Sequence, residues 1–433
     1  MIFTKSKLLI LFFGFVSVYI IFNLDKWERK RVLQWDIAGY YLYLPATFIY
    51  GDTRQLSWYP AIDSAYNLSE DYGIYAVNEV PGTGNKVGKY PIGTAIFELP
   101  FFLGAHTFTC LSHGYPPDGY SPPYALAICL ATVFWVLCGL FILRKVLLTY
   151  YSEEVVFVTI LLIAFGTNLY NYTAFDWGMS HSFSFFLFSA FLYCTRRWYL
   201  SGQKKYLLLL GALLGWIVIT RPTNIIIVLL PLLWPYGAIK VKLAFIKQHF
   251  AALILSFVLF LMIISIQLAY WKYATGHWYY DSYPGEGFNF LQPRIWKGLF
   301  SYRKGWFIYT PLALLVIPGF ILLYRRRPTL LLPLLSFFVI NLYIVFSWHQ
   351  WYYGGSFSAR ALLESIAIFS MPIAACSEWL MLLHAKKVRK WILALMLFLV
   401  ALNIFQTYQF SHGVIKADGM TREHYWQHFF DIE

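Results

Sequence analysis

The sequence predicts an all-α polytopic membrane protein of about 11 transmembrane helices, with a long first outer loop that carries juxtamembrane helices. Three observations point there. The 433 residues are 59% hydrophobic and 13% charged, where a soluble domain is about 25% charged. Apolar runs of about 20 residues recur along the chain, the length that crosses a hydrocarbon core of about 30 Å. Basic residues cluster in short stretches between those runs, as the positive-inside rule demands. The net charge of +13 is therefore read as topological. No nucleic-acid motif accompanies it, and no nucleic-acid partner is expected.

The first run, MIFTKSKLLILFFGFVSVYIIF, resembles a signal peptide. It lacks a small-x-small cleavage site before Asn23-Leu24-Asp25, so it reads as an uncleaved span over 8–24. Further spans are expected at 122–143, 154–172, 180–195, 206–219, 224–238, 250–271, 306–324, 329–347, 361–382 and 391–410. Four basic loops then share one side: Arg196/Arg197/Lys204/Lys205, Lys240/Lys242/Lys247, Arg325/Arg326/Arg327 and Lys386/Lys387/Arg389/Lys390. That side is cytoplasmic by the positive-inside rule. The outer side collects loops at about 25–121, 272–305 and 348–360 and a tail at 411–433, all within one domain, 1–433.

Segment 91–111, PIGTAIFELPFFLGAHTFTCL, is long enough to cross but holds Pro91, Glu98, Pro100 and His106. If it crosses, Asp36 falls inside, as the basic cluster Lys26, Arg29, Lys30 and Arg31 favours. If it stays on the surface, Asp36 lies outside with the other loops, as Arg144 and Lys145 favour. We read it as a juxtamembrane helix.

The chemistry-bearing residues sit in the outer loops. Asp36 is the one acid in WDIAGYYLYLPA (35–46). A carboxylate there is either a general base for a hydroxyl or the cap of a short helix. Asp176 and His181 stand at an expected outer helix start, where they orient an acceptor, hold a metal with Asp36, or cap and pack the helix. Lys89, Arg221, Arg303 with Lys304, and Arg360 lie at outer span edges, against the usual charge bias. They suit a phosphate at headgroup depth, with snorkelling to lipid as the plain alternative. Trp348, Trp351 and Tyr352 in WHQWYY offer faces for a sugar, or belong to an interfacial aromatic belt. Gly354-Gly355 has no GKS/T after it and is not a P-loop. His106, His277 and His349 lack paired spacing, so zinc is not expected.

Six stretches carry a family resemblance: WDIAGYYLYLPA (35–46), GKYPIGTA (88–95), YNYTAFDWGMSHS (170–182), TRPTN (220–224), LFSYRKGWFIYTP (299–311) and WYYGGSFSAR (351–360). In this order they resemble the GT-C superfamily of membrane glycosyltransferases, which includes protein O-mannosyltransferases and lipid A aminoarabinose transferases. The resemblance implies a polyprenyl-phosphate sugar donor reached from the bilayer. It also implies a glycan, lipid or protein acceptor, and inverting transfer on the periplasmic face of a bacterial inner membrane. It puts Asp36 at the family's essential first-loop acid and Asp176 at its second acidic site. Gly354, Gly355 and Arg360 match a final Gly-Gly-x-x-x-x-Arg pattern. Lys89-Tyr90-Pro91 lacks the first proline of the family's K-P-P. Some relatives hold a divalent metal, Mg or Mn, between paired acids; no tight D-x-D stands here, so the metal is left open.

Two other classes compete. A lipid-linked glycan transporter or flippase would line a central path with polar residues and often shows internal repeats, and no repeat is visible. An O-antigen ligase or polymerase-like enzyme shares the donor and would place its key residues in 272–305.

Overall fold

A computed structural model describes residues 4–29, 31–69 and 75–432; Lys30 of the first basic cluster lies outside them. The fold is 69% helical. Backbone groups in an apolar stretch without water must bond within their own segment, which makes the helix the default for each run.

The chain starts with α1 (Lys5–Leu24). Short helices α2 (Trp35–Tyr41), α3 (Tyr43–Phe48) and α4 (Tyr59–Tyr66) fill the loop after it. A two-stranded antiparallel hairpin of β1 (Val77–Glu79) and β2 (Lys86–Gly88) closes that loop. Then come α5 (Gly93–Ser112) and α6 (Pro122–Leu147). The expected span 154–172 divides into α7 (Glu153–Gly166) and α8 (Leu169–Ala174). Asn403 covers the break, its amide donating to the carbonyls of Phe165 and Thr167 at 2.9 and 3.0 Å. Next are α9 (Ser180–Ser201) and α10 (Lys204–Thr220). A 3₁₀ turn with α11 (Leu229–Leu233) replaces the run expected at 224–238. After α12 (Ile239–Gln248), α13 (Phe250–Thr275) and α14 (Ile295–Phe300), the expected span 306–324 also divides. It becomes α15 (Trp306–Tyr309), a 3₁₀ turn opened by Pro311, and α16 (Val316–Arg326). Proline has no N–H to extend the first piece. The chain ends with α17 (Leu331–Ser347), α18 (Ile366–Leu382), α19 (Lys386–Ser411) and α20 (Arg422–Gln427).

Among the described residues, six helices are long and apolar enough to cross a membrane: α1, α5, α6, α13, α17 with the turn before it, and α19. The other expected spans are short, broken, or, like the serine-rich α9, polar within. Exposed apolar side chains line the outside of the long helices, including Phe15 (68%), Met262 (61%) and Phe398 (60%). Water would not tolerate such faces over this area, and lipid does. The fold is an all-α membrane protein.

The bundle has two unlike ends. At one, Arg196 and Arg327 lie over the rings of Tyr150 and Tyr151 in the α6–α7 turn, and Lys242 lies over Tyr199. Three of the four expected basic loops therefore gather here. At the other end lie Asp36, Asp176, Arg221 and the 348–360 loop, around one cavity. Helix α1 joins the two. Its start is held by Arg144, which donates to Thr4 at 2.7 Å, and Lys26 just past its end donates to the Phe175 carbonyl at 3.3 Å.

Helix α5 touches the cavity end twice. Gly93 abuts Ile219 and Thr220 at the close of α10. Further along, His106 bonds the Tyr124 hydroxyl at 2.6 Å, beside the start of α6, and Phe102 meets Tyr41 of the first loop. The helix runs back along the first half of α6, with Trp135 donating to the Phe97 carbonyl at 2.9 Å. Asp36 stands with the other loops around the cavity.

Candidate functional site

The cavity has a volume of about 980 Å³, at the upper end of the range for small-ligand sites. Its wall draws on the first loop, α2, the α8–α9 and α10 corners, the 272–305 and 348–360 loops, and the tail at Ala417 and Asp418. Of the residues singled out in the sequence, Asp36, Lys89, Asp176, His181, Arg221, Trp348 and Arg360 line it.

Asp36 sits in the first turn of α2, and its side chain caps no backbone N–H. Its Oδ1 accepts from Tyr75 at 2.8 Å and Tyr90 at 2.5 Å, and its Oδ2 from Arg360 Nη2 at 2.6 Å. Gly39 permits this. A Cβ there would lie 2.4 Å from Ala76 Cβ and 2.6 Å from the Tyr90 ring, so any larger residue would push both tyrosines away. Burial alone would raise the Asp36 pKa. The Arg360 charge and the two tyrosine hydroxyls outweigh it and hold the carboxyl below its ordinary 3.8. A carboxylate has about four lone-pair positions. Three are used, so one on Oδ2 remains for a hydroxyl.

Asp176 differs. Helix α9 begins at Ser180 with Met179 in the cap position and no side-chain cap bond, so Asp176 is not its cap. Among the described residues its carboxylate accepts no hydrogen bond. Burial raises its pKa, against the opposing charges of Lys26 and Arg360, while the Asp36 charge adds to the rise.

Three of the cavity cations, Lys89, Arg221 and Arg360, already have partners. Lys89 pairs with Glu286 at 2.5 Å, and Arg221 Nε lies 3.5 Å from Glu364 while its Nη1 donates to Ser180 at 3.2 Å. Glu364, 1% exposed, also bonds His181 at 2.8 Å and Asn224 at 2.9 Å. His181 thus belongs both to the wall and to a buried polar cluster built on Glu364. The lining carries Arg31, Lys89, Arg221 and Arg360 against Asp36, Asp176, Asp281, Glu286 and Asp418, so an incoming anion meets no surplus of positive charge.

Four expected site residues are off the wall. Arg303 pairs with Asp418 at 2.8 Å and stacks on Tyr352, 3.4 Å from its centroid. Tyr352 is taken up in that stack, and Trp351 touches Tyr352 rather than the cavity. Lys304, beside them, is buried and donates to the carbonyls of Ser356 and Ala417. The aromatic wall is instead Tyr40, Tyr75, Tyr90, Tyr283, Trp348 and Tyr353. Sequence reasoning also missed Glu286 and Glu364. Glu364, four residues after Arg360 in an apolar span whose other charge, Glu378, lies near the far end, was a usable signal; Glu286 carried none.

Backbone strain gathers here as well. Of the eight non-glycine residues with positive φ among those described, Trp35, Ala76, Tyr353 and Ser358 flank the site. Such angles persist where surrounding structure enforces them, commonly at ligand sites.

No three Asp, Glu, His or Cys side chains converge on a metal position among the described residues. Asp36 and Asp176 do not fit a divalent ion as arranged, because Asp36 already answers Arg360, a cation the ion would have to displace. No step below is assigned to a metal. Comparison of the chain with family models and with curated proteins gives no match.

Proposed function

We propose that the chain is a membrane glycosyltransferase of GT-C type with about 11 crossing segments. It moves a sugar from a polyprenyl phosphate to an acceptor hydroxyl at the outer face of a bacterial inner membrane. The observation that carries this reading is the meeting of an ionised carboxylate, three cations and an aromatic wall in one cavity. The carboxylate and the three cations come from four of the six resembling stretches.

In this reading the acceptor hydroxyl gives its proton to Asp36 Oδ2 while its oxygen bonds to the sugar C1. The bond from C1 to the phosphate oxygen breaks, and its electron pair leaves with the lipid phosphate. Attack opposite the leaving group inverts C1. Arg360, Arg221 and Lys89 take the charge that develops on the phosphate, as fixed cations do best in a site shielded from water. Tyr283, Trp348 and Tyr353 hold the sugar faces. Asp176 accepts from a further acceptor hydroxyl and orients it. In this reading helix α5 is juxtamembrane and does not cross.

The test is release of free lipid phosphate by purified protein offered a panel of polyprenyl-phosphate sugars and membrane acceptors. Sugar-dependent release, lost in Asp36→Asn, is expected. No release from any donor by folded protein would favour a lipid-linked glycan transporter.

A further inference from the structure

We propose that the Asp36–Arg360 pair is a latch opened by the donor: a lipid phosphate that takes Arg360 frees Asp36 to act as the base. This rests on the glycosyl-transfer reading above.

In the state described here the base is poorly suited to its work. A general base is most effective with a pKa near the working pH, and Asp36 is held ionised by the cation 2.6 Å away. The same cation is the one best placed for the phosphate. Its side chain is 13% exposed, and its Nη1 has only a long contact, 3.9 Å to the Met179 sulfur. Its Nε has no partner among the described residues. A guanidinium with donors to spare suits a bidentate hold on phosphate.

The two anions then compete for one cation. When phosphate takes Arg360, Asp36 loses a neutralising charge and gains a repelling one, and both changes raise its affinity for a proton. Tyr75 and Tyr90 hold Oδ1 from the other side, so the carboxylate stays in place as Arg360 turns away. The pair joins residues 324 positions apart, so the latch also ties the first loop to the last. It keeps the base weak until a donor is bound.

Coupling is reciprocal. If phosphate weakens the hold of Arg360 on Asp36, the Asp36 charge must weaken the binding of phosphate. Removing that charge should therefore tighten binding while abolishing transfer. A carboxylate that merely positions Arg360 for phosphate predicts the opposite.

The probe is farnesyl phosphate, titrated by calorimetry into the full chain in detergent, with farnesol as the phosphate-free control. Asp36→Asn should bind farnesyl phosphate about tenfold more tightly than wild type, the low end for close charge pairs. Arg360→Gln should bind it at least about tenfold more weakly. Equal or weaker binding by Asp36→Asn, with wild type binding well, overturns the latch and leaves the transferase reading standing. Wild type binding farnesyl phosphate no better than farnesol overturns the reading beneath it. Should Asp36→Asn not yield folded protein, Asp36→Ser, which also removes the charge, is read in its place.

Discussion

Arg327 at the basic end and Arg360 at the cavity end are both arginines paired with a carboxylate, and they differ in what is left over. Arg327 donates to both oxygens of Glu378 at 2.8 and 2.7 Å and to the Tyr150 carbonyl at 2.7 Å, and lies 4.2 Å from the Tyr151 centroid. Three of its five donors are used within the protein, and its side chain is 20% exposed, so the rest can reach water. Arg360 has one ion pair and an unpartnered Nε, Asp36 keeps a lone pair, and Asp176 accepts nothing among the described residues. Partners also differ in reach: 51 residues apart at the basic end, 324 at the cavity end. Charge marks both ends of the molecule. Unspent hydrogen-bonding capacity that opens on a cavity marks one, and that is the end where a ligand belongs.

The largest effects should separate these ends. Asp36→Asn removes the base and should cost about 10²–10⁴-fold in turnover. Arg360→Gln should cost about 10²–10³-fold, as loss of one charge-stabilising donor does. Arg327→Gln should leave turnover within about twofold and lower stability by about 1–3 kcal/mol, read as melting temperature in detergent. Equal loss of activity at both ends would erase the comparison.

Glu364→Gln sharpens it from inside the cavity end. This carboxylate holds His181, Asn224 and Arg221 together at 1% exposure. Removing the charge leaves Arg221 without its buried counter-charge, which typically costs about 3–5 kcal/mol. A steep fall in melting temperature is expected, with turnover lost only as folded protein is lost. An undiminished melting temperature with lost turnover would move Glu364 from the scaffold to the chemistry.

The fold class was legible because span length and loop charge are local properties of the chain. The helix breaks were less so: the carbonyls freed near Thr167 are caught by Asn403, 236 residues away, and no local pattern announces that. The same holds for the site. Asp36, Asp176, Arg221 and Arg360 stood out because each is a charge in an apolar setting. That Asp36 and Arg360 bind each other was not legible, since the two lie 324 residues apart and no local pattern joins them. Arg303 looked like its neighbours in sequence, but Asp418 in the tail draws it off the wall.

That tail supplies a pH-dependent test. Burial pulls Lys304 from its ordinary 10.5 down to about 7; Asp418 opposes the fall, and Arg360 and Arg303 add to it. In an opened tail the lysine keeps its proton up to about 10.5, while in the docked tail it loses it near 7. The docked state therefore binds fewer protons between these values, and its stability rises with pH from about 7 to 10.5 and is lost as pH falls through about 7. Hydrogen exchange at 415–418, corrected for intrinsic rate, should show stronger protection at pH 9 than at pH 6.5. Lys304→Met should flatten the difference, and an equal slope in that variant would remove Lys304 as the cause.

The smallest expected effects fall on neighbouring tryptophans. Trp348 lines the cavity, its ring 5.9 Å from Tyr283 and 4.9 Å from Phe288. Trp351, three residues on, packs on Tyr352 outside it. A ring that holds a sugar face contributes about 1 kcal/mol beyond simple burial, so Trp348→Ala should raise KM for the donor about fivefold. Trp351→Ala should change it by less than about twofold. Sequence spacing treats the two alike, as rings of one interfacial belt. The structure turns one inward and the other away, so equal KM values would mean that the belt, not the cavity wall, accounts for both.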